Sequence, residues 1–216
     1  QRKKNLTYAL KRFSVKEDLK KDFVYFALSY EPERTTNPDG GEFHDQIIAL
    51  TFLRKFVPKN YLIYIKEHPT QFLKADKGSR GRSPIFYEAI RNIQGTYLVN
   101  SETDSLELIK RSKFTASISG SVAFEAAIIG KRSLVFGDTW YEGCPNIKKW
   151  SPDLNFKDFI NSKLSRPNSI KEFLIDQKNT FCIIGCQNIS AEKRFSNFLN
   201  EKFRQEELRG VTYLMK

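Results

Sequence analysis

A lysine and a histidine stand two residues apart in the stretch Lys66-Glu67-His68-Pro69. The residues before them, 61–65 (YLIYI), have the aromatic and β-branched content of a buried strand. Residues two apart on a strand share a face, which predicts that Lys66 and His68 act together. Both side chains donate hydrogen bonds to phosphate oxygens, and Pro69 fixes an extended exit from the strand. The pattern predicts an anion site, although a histidine here can also cap the loop in a purely structural role.

A second anion-binding element is predicted at Ser119-Gly120-Ser121, which follows the apolar run 114–118 and begins a helical pattern that stops at Gly130. Such a turn leaves unpaired backbone N–H groups at a helix N-terminus, beside the carboxyl end of a strand. Gly120 allows close backbone approach or a positive φ, and Ser119 or Ser121 can serve as the helix N-cap. The N-cap role and phosphate binding are compatible because both use the same helix end. We expect a phosphate-bearing ligand here, and among such ligands we favour a nucleotide.

Four further polar side chains are predicted near the same crevice. Glu125 lies about one turn into the helix, where a carboxylate can accept hydrogen bonds from both hydroxyls of a ribose. Alternatively, Glu125 is a solvated residue on the helix surface. Glu31 and Glu33 follow the first strand, either as exposed loop charges or as groups that face a sugar or a base. Tyr141 lies beyond the strand that follows the helix. Loops that leave the carboxyl ends of parallel strands converge, so we expect all four residues to bind the ligand.

Apolar runs alternate with helical patterns along the chain, which is typical of β-α-β units. Five strands are predicted near residues 24, 62, 97, 115 and 134. Helices are predicted over 42–56, 84–93, 105–111, 156–164, 168–178 and 190–207, with an exposed loop over 74–83. The predicted fold class is α/β, a Rossmann-like, doubly wound and mostly parallel sheet of five to six strands with helices on both faces. The sequence has no G-x-G-x-x-G after the first strand and no P-loop pattern, which disfavours dinucleotide oxidoreductases and P-loop enzymes.

Metal chemistry is not predicted. His44 and Asp45 are adjacent and both can bind metal ions, but nothing else in the sequence completes a site. The cysteines, Cys144, Cys182 and Cys186, form neither an even set nor a metal pattern, so we expect buried reduced thiols and a cytoplasmic protein. No metal and no cofactor is predicted.

The charge balance indicates anionic partners. The chain has 216 residues with 36 Lys and Arg against 25 Asp and Glu, a net charge of +11. The basic residues are spread along the chain, without a block interleaved with aromatics or a zinc-finger spacing, and nucleic acid is therefore disfavoured. An anionic substrate and peripheral contact with an anionic membrane, at its inner face, both stay open.

These motifs, in this order, resemble the nucleotide-binding half of GT-B glycosyltransferases. The matching patterns are strand-K-x-H-P and, from Ser119 to Gly137, S-G-S-x-x-x-E-A-x-x-x-G-K-x-x-x-x-x-G with a tyrosine shortly after. The segment 30–46 (YEPERTTNPDGGEFHDQ) is also similar to one that precedes the H-P motif in surface-carbohydrate proteins. The resemblance covers residues 22–145 and is strongest to capsule and surface polysaccharide biosynthesis proteins, including those that use CMP-activated keto-sugars.

The resemblance implies roles for the predicted site residues. His68 and the serine-rich turn would hold the nucleotide phosphate of a nucleotide-sugar donor, with Lys66 in support, and Glu125 would hold the ribose. Lys66 and His68 would then be the catalytic groups, because they stabilise the departing phosphate while an acceptor hydroxyl attacks the sugar. A full enzyme of this kind has an N-terminal domain for the glycan or glycolipid acceptor, so we expect this chain to be the donor-binding half of a longer protein.

Three regions are expected on this basis: a linker or helical lead-in over 1–21, a Rossmann-like nucleotide-sugar-binding domain over 22–150, and a helical C-terminal extension over 151–216 that packs on the same domain. Two alternatives to a glycosyltransferase stay open. One is a related enzyme on the same scaffold, a nucleotide-sugar 2-epimerase or a CDP-polyol phosphotransferase. The other is a nucleotide-binding module without catalysis.

Overall fold

A computed structural model of the chain describes residues 2–33, 36–72 and 77–180. Within these residues, six strands form one sheet in the order β3-β2-β1-β4-β5-β6, and each neighbouring pair is parallel. The strands are β1 (Phe23–Ala27), β2 (Leu62–Lys66), β3 (Thr96–Leu98), β4 (Thr115–Ser117), β5 (Ser133–Val135) and β6 (Ile147–Lys149). The predicted α/β, doubly wound class is confirmed, and the pairing of these strands is wholly rather than mostly parallel.

The helices connect the strands and follow the sheet. They are α1 (Arg2–Phe13), α2 (Gln46–Phe56), α3 (Lys77–Arg80), α4 (Pro84–Asn92), α5 (Ser105–Arg111), α6 (Val122–Ile128), α7 (Phe156–Asn161) and α8 (Pro167–Thr180). The helix predicted from residue 42 begins only at Gln46, because the Asp45 carboxylate caps it by accepting the Ile47 amide. The helix predicted over 190–207, together with Cys182 and Cys186, lies outside the described residues.

The sixth strand, β6, is not among the five placed from the sequence. Its residues are Ile147, Lys148 and Lys149, and both lysines are exposed. A short edge strand of this composition has neither an apolar run nor an alternating pattern, so it carries no local signal. Its pairing with β5 is a tertiary effect.

Side chains of the central strand face both layers of helices. In β1, Val24 and Phe26 pack into a core with α1, α2 and α4, whereas Phe23 and Tyr25 pack on the opposite face with α5 and α6. Each fully buried apolar side chain of this size contributes about 1.5–3 kcal/mol to folding. The two-sided burial explains why β1 appears in the sequence as a continuous apolar run rather than an alternating one.

The chain divides into two compact units, Gln1–Ile170 and Lys171–Lys216, and the sheet belongs to the first. Helix α1 lies within the predicted lead-in, and its Leu6 and Leu10 are buried in the core. The domain boundaries predicted after residues 21 and 150 stay predictions.

Strand order determines where a ligand can bind. All six carboxyl ends lie at one edge of the sheet, and the order reverses between β1 and β4, which are neighbours. A crevice forms at such a reversal because the crossovers on its two sides diverge onto opposite faces. The loops after β1, β2, β4 and β5 meet there.

Candidate functional site

A cleft of about 430 Å³ opens at the carboxyl edge of the sheet, between the loops that follow β1, β2, β4 and β5. Seven of the predicted site residues line it. They are Glu33, Lys66, His68, Ser119, Gly120, Ser121 and Glu125. The structure therefore brings together the two predicted anion-binding elements, although more than one β-α unit separates them in the sequence.

Lys66 is a buried cation at the base of the cleft. Its residue is only 5 % exposed, and its Nζ donates a hydrogen bond of 2.6 Å to Ser105 Oγ at the start of α5. Burial lowers the pKa of Lys66, and the nearby charge of Asp104 raises it by a smaller amount. Within the part of the chain that the structure describes, no carboxylate forms an ion pair with Lys66. An ammonium in this setting is stabilised by an anion that enters the cleft.

His68 is half-buried beside Lys66, with its ring edge against Tyr30 at 5.9 Å between ring centroids. Its Nδ1 accepts from the Thr70 amide at 3.3 Å, so the neutral ring carries its proton on Nε2. Burial lowers the pKa of His68, and the charges of Glu67 and Glu33 oppose this shift. Burial thus favours the neutral form of His68, in which Nε2–H is the donor that faces away from Thr70.

Beneath the histidine lies a buried polar group that we call the Glu67 cluster, formed by Glu67, Arg82 and Tyr87. Arg82 contacts both carboxylate oxygens of Glu67, Nε at 2.8 Å and Nη2 at 3.0 Å, and Tyr87 donates its hydroxyl at 2.6 Å. The side chains of Arg82 and Glu67 are 1 % and 2 % exposed. Glu67 also accepts the His68 amide at 2.8 Å, so the cluster fixes the backbone that carries the histidine.

The Glu67 cluster corrects one expectation from the sequence. The polar stretch 74–83 was expected to be an exposed loop, yet Arg82 and Ser79 within it are buried and residues 77–80 form α3. The physical reason is the Glu67 carboxylate, which lies inside the fold and requires a cation. Nothing local to residues 74–83 signals this partner.

The serine turn, residues 119–121, leads into α6. Ser121 occupies the N-cap position, but its side chain makes no capping bond; its hydroxyl donates to Glu125 Oε1 at 2.7 Å. The amides of Gly120, Ser121 and Val122 have no acceptor among the residues described. Helix α6 has only seven residues, so the turn offers a ligand hydrogen-bond donors rather than a strong helix dipole.

The backbone conformation at position 120 does not require a glycine. Its φ is not positive, and an added Cβ would meet only Ser117 atoms at 3.7 Å, which is ordinary contact. Of the two alternatives predicted for Gly120, close backbone approach or a positive φ, the structure does not adopt the positive φ. Gly120 lines the cleft, and its lack of a side chain is consistent with close approach of a ligand.

Two predicted ligand-binding residues, Glu31 and Tyr141, do not line the cleft. Tyr141 is fully buried, and its hydroxyl donates to the Gly120 carbonyl at 2.6 Å, which fixes the serine turn from behind. The Glu31 carboxylate accepts a hydrogen bond from Gln46 Nε2 at 3.0 Å, and the side-chain Oε1 of Gln46 accepts one from the Ser29 amide. Both residues hold cleft loops in place through contacts within the protein.

Other residues that line the cleft were not predicted from the sequence. They include Tyr25, Ser105 and Trp140. Burial raises the pKa of Tyr25 to about 12, so its phenol stays protonated in the cleft floor; a hydrogen bond with Ser105 opposes this shift. Tyr25 is concealed in the apolar run of β1, and only the alternation of faces along the strand could have revealed it.

The adjacent His44 and Asp45 have structural contacts. The His44 ring lies 3.0 Å from the Gly41 carbonyl, and Asp45 caps α2. Among the described residues, no group of three or more His, Cys, Asp or Glu lies together in a way that could hold a metal ion. In the same part of the chain, no helix combines the length and the apolar character needed to cross a membrane.

The chain is similar to known proteins only in its structure, and only weakly. No family model matches the chain, and no curated protein sequence matches it. Solved structures similar to it include a β-Kdo 2,7 transferase KpsC from Thermosulfurimonas dismutans, with 14% identity, a TM-score of 0.45 and coverage of 82% of this chain and 60% of that chain. A β-Kdo 2,4 transferase KpsC from the same organism has 13% identity and a TM-score of 0.47, covering 80% and 54%. A co-structure of MnaA and UDP from S. aureus has 16% identity and a TM-score of 0.39, covering 76% and 41%. This chain thus spans about 40 to 60 % of the length of these proteins, and the identities are too low to assign it to a family.

Proposed function

We propose that the cleft binds a nucleotide-activated sugar and that this chain is the donor-binding half of a GT-B-type glycosyltransferase for capsule or surface polysaccharide synthesis. The observation that carries the proposal is Lys66, a buried ammonium without an ion-pair partner among the described residues. It lies in one cleft with the Nε2 donor of His68 and the amides of Gly120, Ser121 and Val122, which have no acceptor among the described residues. This set of donors suits the phosphates of a nucleotide.

The proposed chemistry is sugar transfer with electrostatic stabilisation of the leaving group. The bond between the anomeric carbon and the donor phosphate oxygen breaks, and its electron pair stays on the phosphate. Lys66 and His68 stabilise that charge as it develops, while an acceptor hydroxyl forms the new bond to the anomeric carbon and gives its proton to a base of the proposed acceptor domain. Glu125 accepts hydrogen bonds from the hydroxyls of the ribose. Its side chain is exposed in the cleft, and among the described contacts it accepts a hydrogen bond only from Ser121.

The proposed partners follow from this role. The donor is a nucleotide sugar, and we favour a CMP-linked keto-sugar. The acceptor is a glycan or glycolipid, which a further domain holds. The exposed basic residues of α1 and the net charge of +11 support contact with an anionic membrane from the cytoplasmic side. The proposal uses no metal ion, no cofactor and no nucleic acid.

The test is a calorimetric titration of the full chain with CMP, CDP, UMP, UDP, GDP and ADP. Selective binding of one nucleotide supports the proposal and identifies the donor class. Binding of CMP would indicate a keto-sugar transferase, and binding of CDP the polyol-phosphate alternative. Binding of UDP would indicate either a conventional transferase or an epimerase. Binding of none of them contradicts it. Turnover of the matching nucleotide sugar without an acceptor, giving an isomer of the sugar, would identify the epimerase instead.

Replacing His68 by alanine is expected to weaken binding of the selected nucleotide about tenfold, the effect of one hydrogen bond to a charged group. Phosphate in the cleft raises the pKa of His68, so binding takes up a proton and affinity rises as the pH falls below 7. Protonation of the nucleotide's own phosphate changes affinity in the same way for every variant. The difference between the pH dependence of the wild type and that of His68→Ala therefore measures the contribution of the histidine. The other histidine, exposed His44, provides the matched control as His44→Ala. Equal affinity and equal pH dependence in wild type and His68→Ala would exclude a phosphate contact.

Replacing Glu125 by alanine is expected to weaken binding of the ribonucleotide more than that of its 2′-deoxy analogue, because only the former offers both ribose hydroxyls. We expect a loss of about five- to tenfold for the ribonucleotide, typical of a charge-assisted hydrogen bond in a partly exposed site. Titrations of both ligands with Glu125→Ala, and with exposed Glu88→Ala on α4 as control, measure this difference. Equal losses for the two ligands would show that Glu125 has no role at the ribose.

A further inference from the structure

The loop after β5 carries a tryptophan at the mouth of the cleft. Trp140 lines the cleft and is 62 % exposed, whereas its neighbour Tyr141 is fully buried. Among the exposed large hydrophobic side chains of the described residues, Trp140 is the one that lines the cleft. Trp140 is also the residue of this loop that lines the cleft.

The indole is held rather than free. Its ring lies 5.0 Å from the Phe124 ring at a tilt of 56° and 5.2 Å from the Tyr141 ring in an edge contact. Phe124 and Tyr141 are themselves stacked at 5.7 Å, and Tyr141 is bonded to the Gly120 carbonyl. The orientation of Trp140 is therefore tied to the serine turn, which the proposed function assigns to the phosphate.

The loop that carries the tryptophan is anchored at its start. The Asp138 amide donates to the Asp39 carbonyl at 2.8 Å. Gly137 packs so closely that an added Cβ would lie 2.6 Å from the same carbonyl and 3.0 Å from the Gly40 Cα. A ring that is already positioned loses little conformational entropy when a ligand stacks on it.

Resting on the proposed function, we propose that Trp140 is a stacking platform for a ring of the bound ligand. A phosphate near Lys66 and the serine turn leaves the rest of a nucleotide sugar to extend toward the cleft mouth, where the indole offers an apolar face. Two rings of such a ligand have a face of this kind, the nucleobase and the sugar. Stacking on an aromatic side chain is typically worth enough that its removal weakens binding about fivefold or more.

Titrations of the full chain and of Trp140→Phe and Trp140→Ala, with four probes, test the platform. The probes form two pairs that differ only by the sugar, UDP with UDP-N-acetylglucosamine and CMP with CMP-N-acetylneuraminate. We expect Trp140→Ala to lose at least about fivefold in affinity and Trp140→Phe to keep most of it, because phenylalanine retains a ring. A loss that is equal for both members of a pair identifies the nucleobase, and one confined to the sugar-bearing member identifies the sugar.

Intrinsic fluorescence gives an independent readout, because the chain has only two tryptophans. Trp150 is partly buried and stacked on Phe136, so quenching by ligand is expected in the wild type and lost in Trp140→Phe. Tyr8→Ala, at an aromatic residue 68 % exposed on α1, is the control for loss of a surface ring. Unchanged affinity for every probe in Trp140→Ala, while Lys66→Met still loses affinity, overturns the platform alone and leaves Trp140 as a surface for another protein. Failure of the wild type to bind any of these probes, and any of the six nucleotides titrated above, overturns the platform and the proposed function together.

Discussion

Replacing Arg82 by methionine is expected to lower the free energy of unfolding by about 3–5 kcal/mol, the usual cost of removing one partner of a buried ion pair. Methionine keeps much of the volume of arginine but leaves the Glu67 carboxylate without its cation, at a site where that side chain is 2 % exposed. The Ser29 carbonyl also loses the Arg82 hydrogen bond of 2.8 Å. Because domains are stable by only about 5–15 kcal/mol, a loss of this size is a large fraction of the total.

Urea unfolding, followed by tryptophan fluorescence and circular dichroism, measures the effect. The matched control is Arg91→Met, an exposed arginine on α4, which is expected to change stability by less than about 0.5 kcal/mol. The double variant Glu67→Gln with Arg82→Met removes the charge that Arg82→Met leaves unpaired, so it is expected to be more stable than Arg82→Met alone. An Arg82→Met protein as stable as Arg91→Met would show that the carboxylate is not desolvated.

Replacing Lys66 by methionine is expected to have opposite effects on binding and on stability. Affinity for the selected nucleotide falls about 10- to 150-fold, because a charged donor to the phosphate is lost. Stability stays the same or increases, because a buried ammonium without an ion-pair partner in the described chain is replaced by an apolar side chain of similar length. A residue that weakens the fold and strengthens binding is expected at a functional site.

Calorimetric titration and urea unfolding of the same preparation separate the two effects. Lys59 is exposed before β2, at the opposite edge of the sheet from the cleft, so Lys59→Met removes the same charge without touching the site. If Lys66→Met and Lys59→Met lose affinity equally, the effect of Lys66 is one of general charge and the proposed phosphate contact is wrong. A large loss of stability in Lys66→Met would instead indicate a structural lysine.

The parts of the site that could be predicted from sequence are those whose signal is local. Lys66 and His68 follow an apolar run directly, and the serine turn begins a helical pattern directly, so spacing alone places each at the end of a strand. The strand order of a β-α-β chain then brings such ends together. The seven predicted residues that line the cleft all belong to these local elements or to the loop after β1.

What could not be predicted depends on partners distant in the chain. Arg82 appears in the sequence as one more cation in a polar stretch, and only the folded chain places it against Glu67, fifteen residues earlier. Tyr141 and Trp140 are adjacent aromatics of one loop, and nothing in the sequence shows which of them turns inward. The prediction selected Tyr141, whereas the structure buries it under the serine turn and exposes Trp140 to the cleft.

The position of the cleft, at the reversal between β1 and β4, has a consequence for how donor preference evolves. Lys66 and His68 belong to the β1-β2-β3 side of the sheet, whereas Glu125 and Trp140 belong to the β4-β5-β6 side. The proposed contacts to the phosphate, which all nucleotide sugars share, thus come from both sides, through Lys66 and His68 on one and the serine turn on the other. The proposed contacts to the rings that distinguish these donors come from the β4-β5-β6 side alone. Under the proposed function, mutations in the loop after β5 alter which donor is accepted while Lys66 and His68 keep their contacts to the phosphate, so substrate preference changes by small, separate steps.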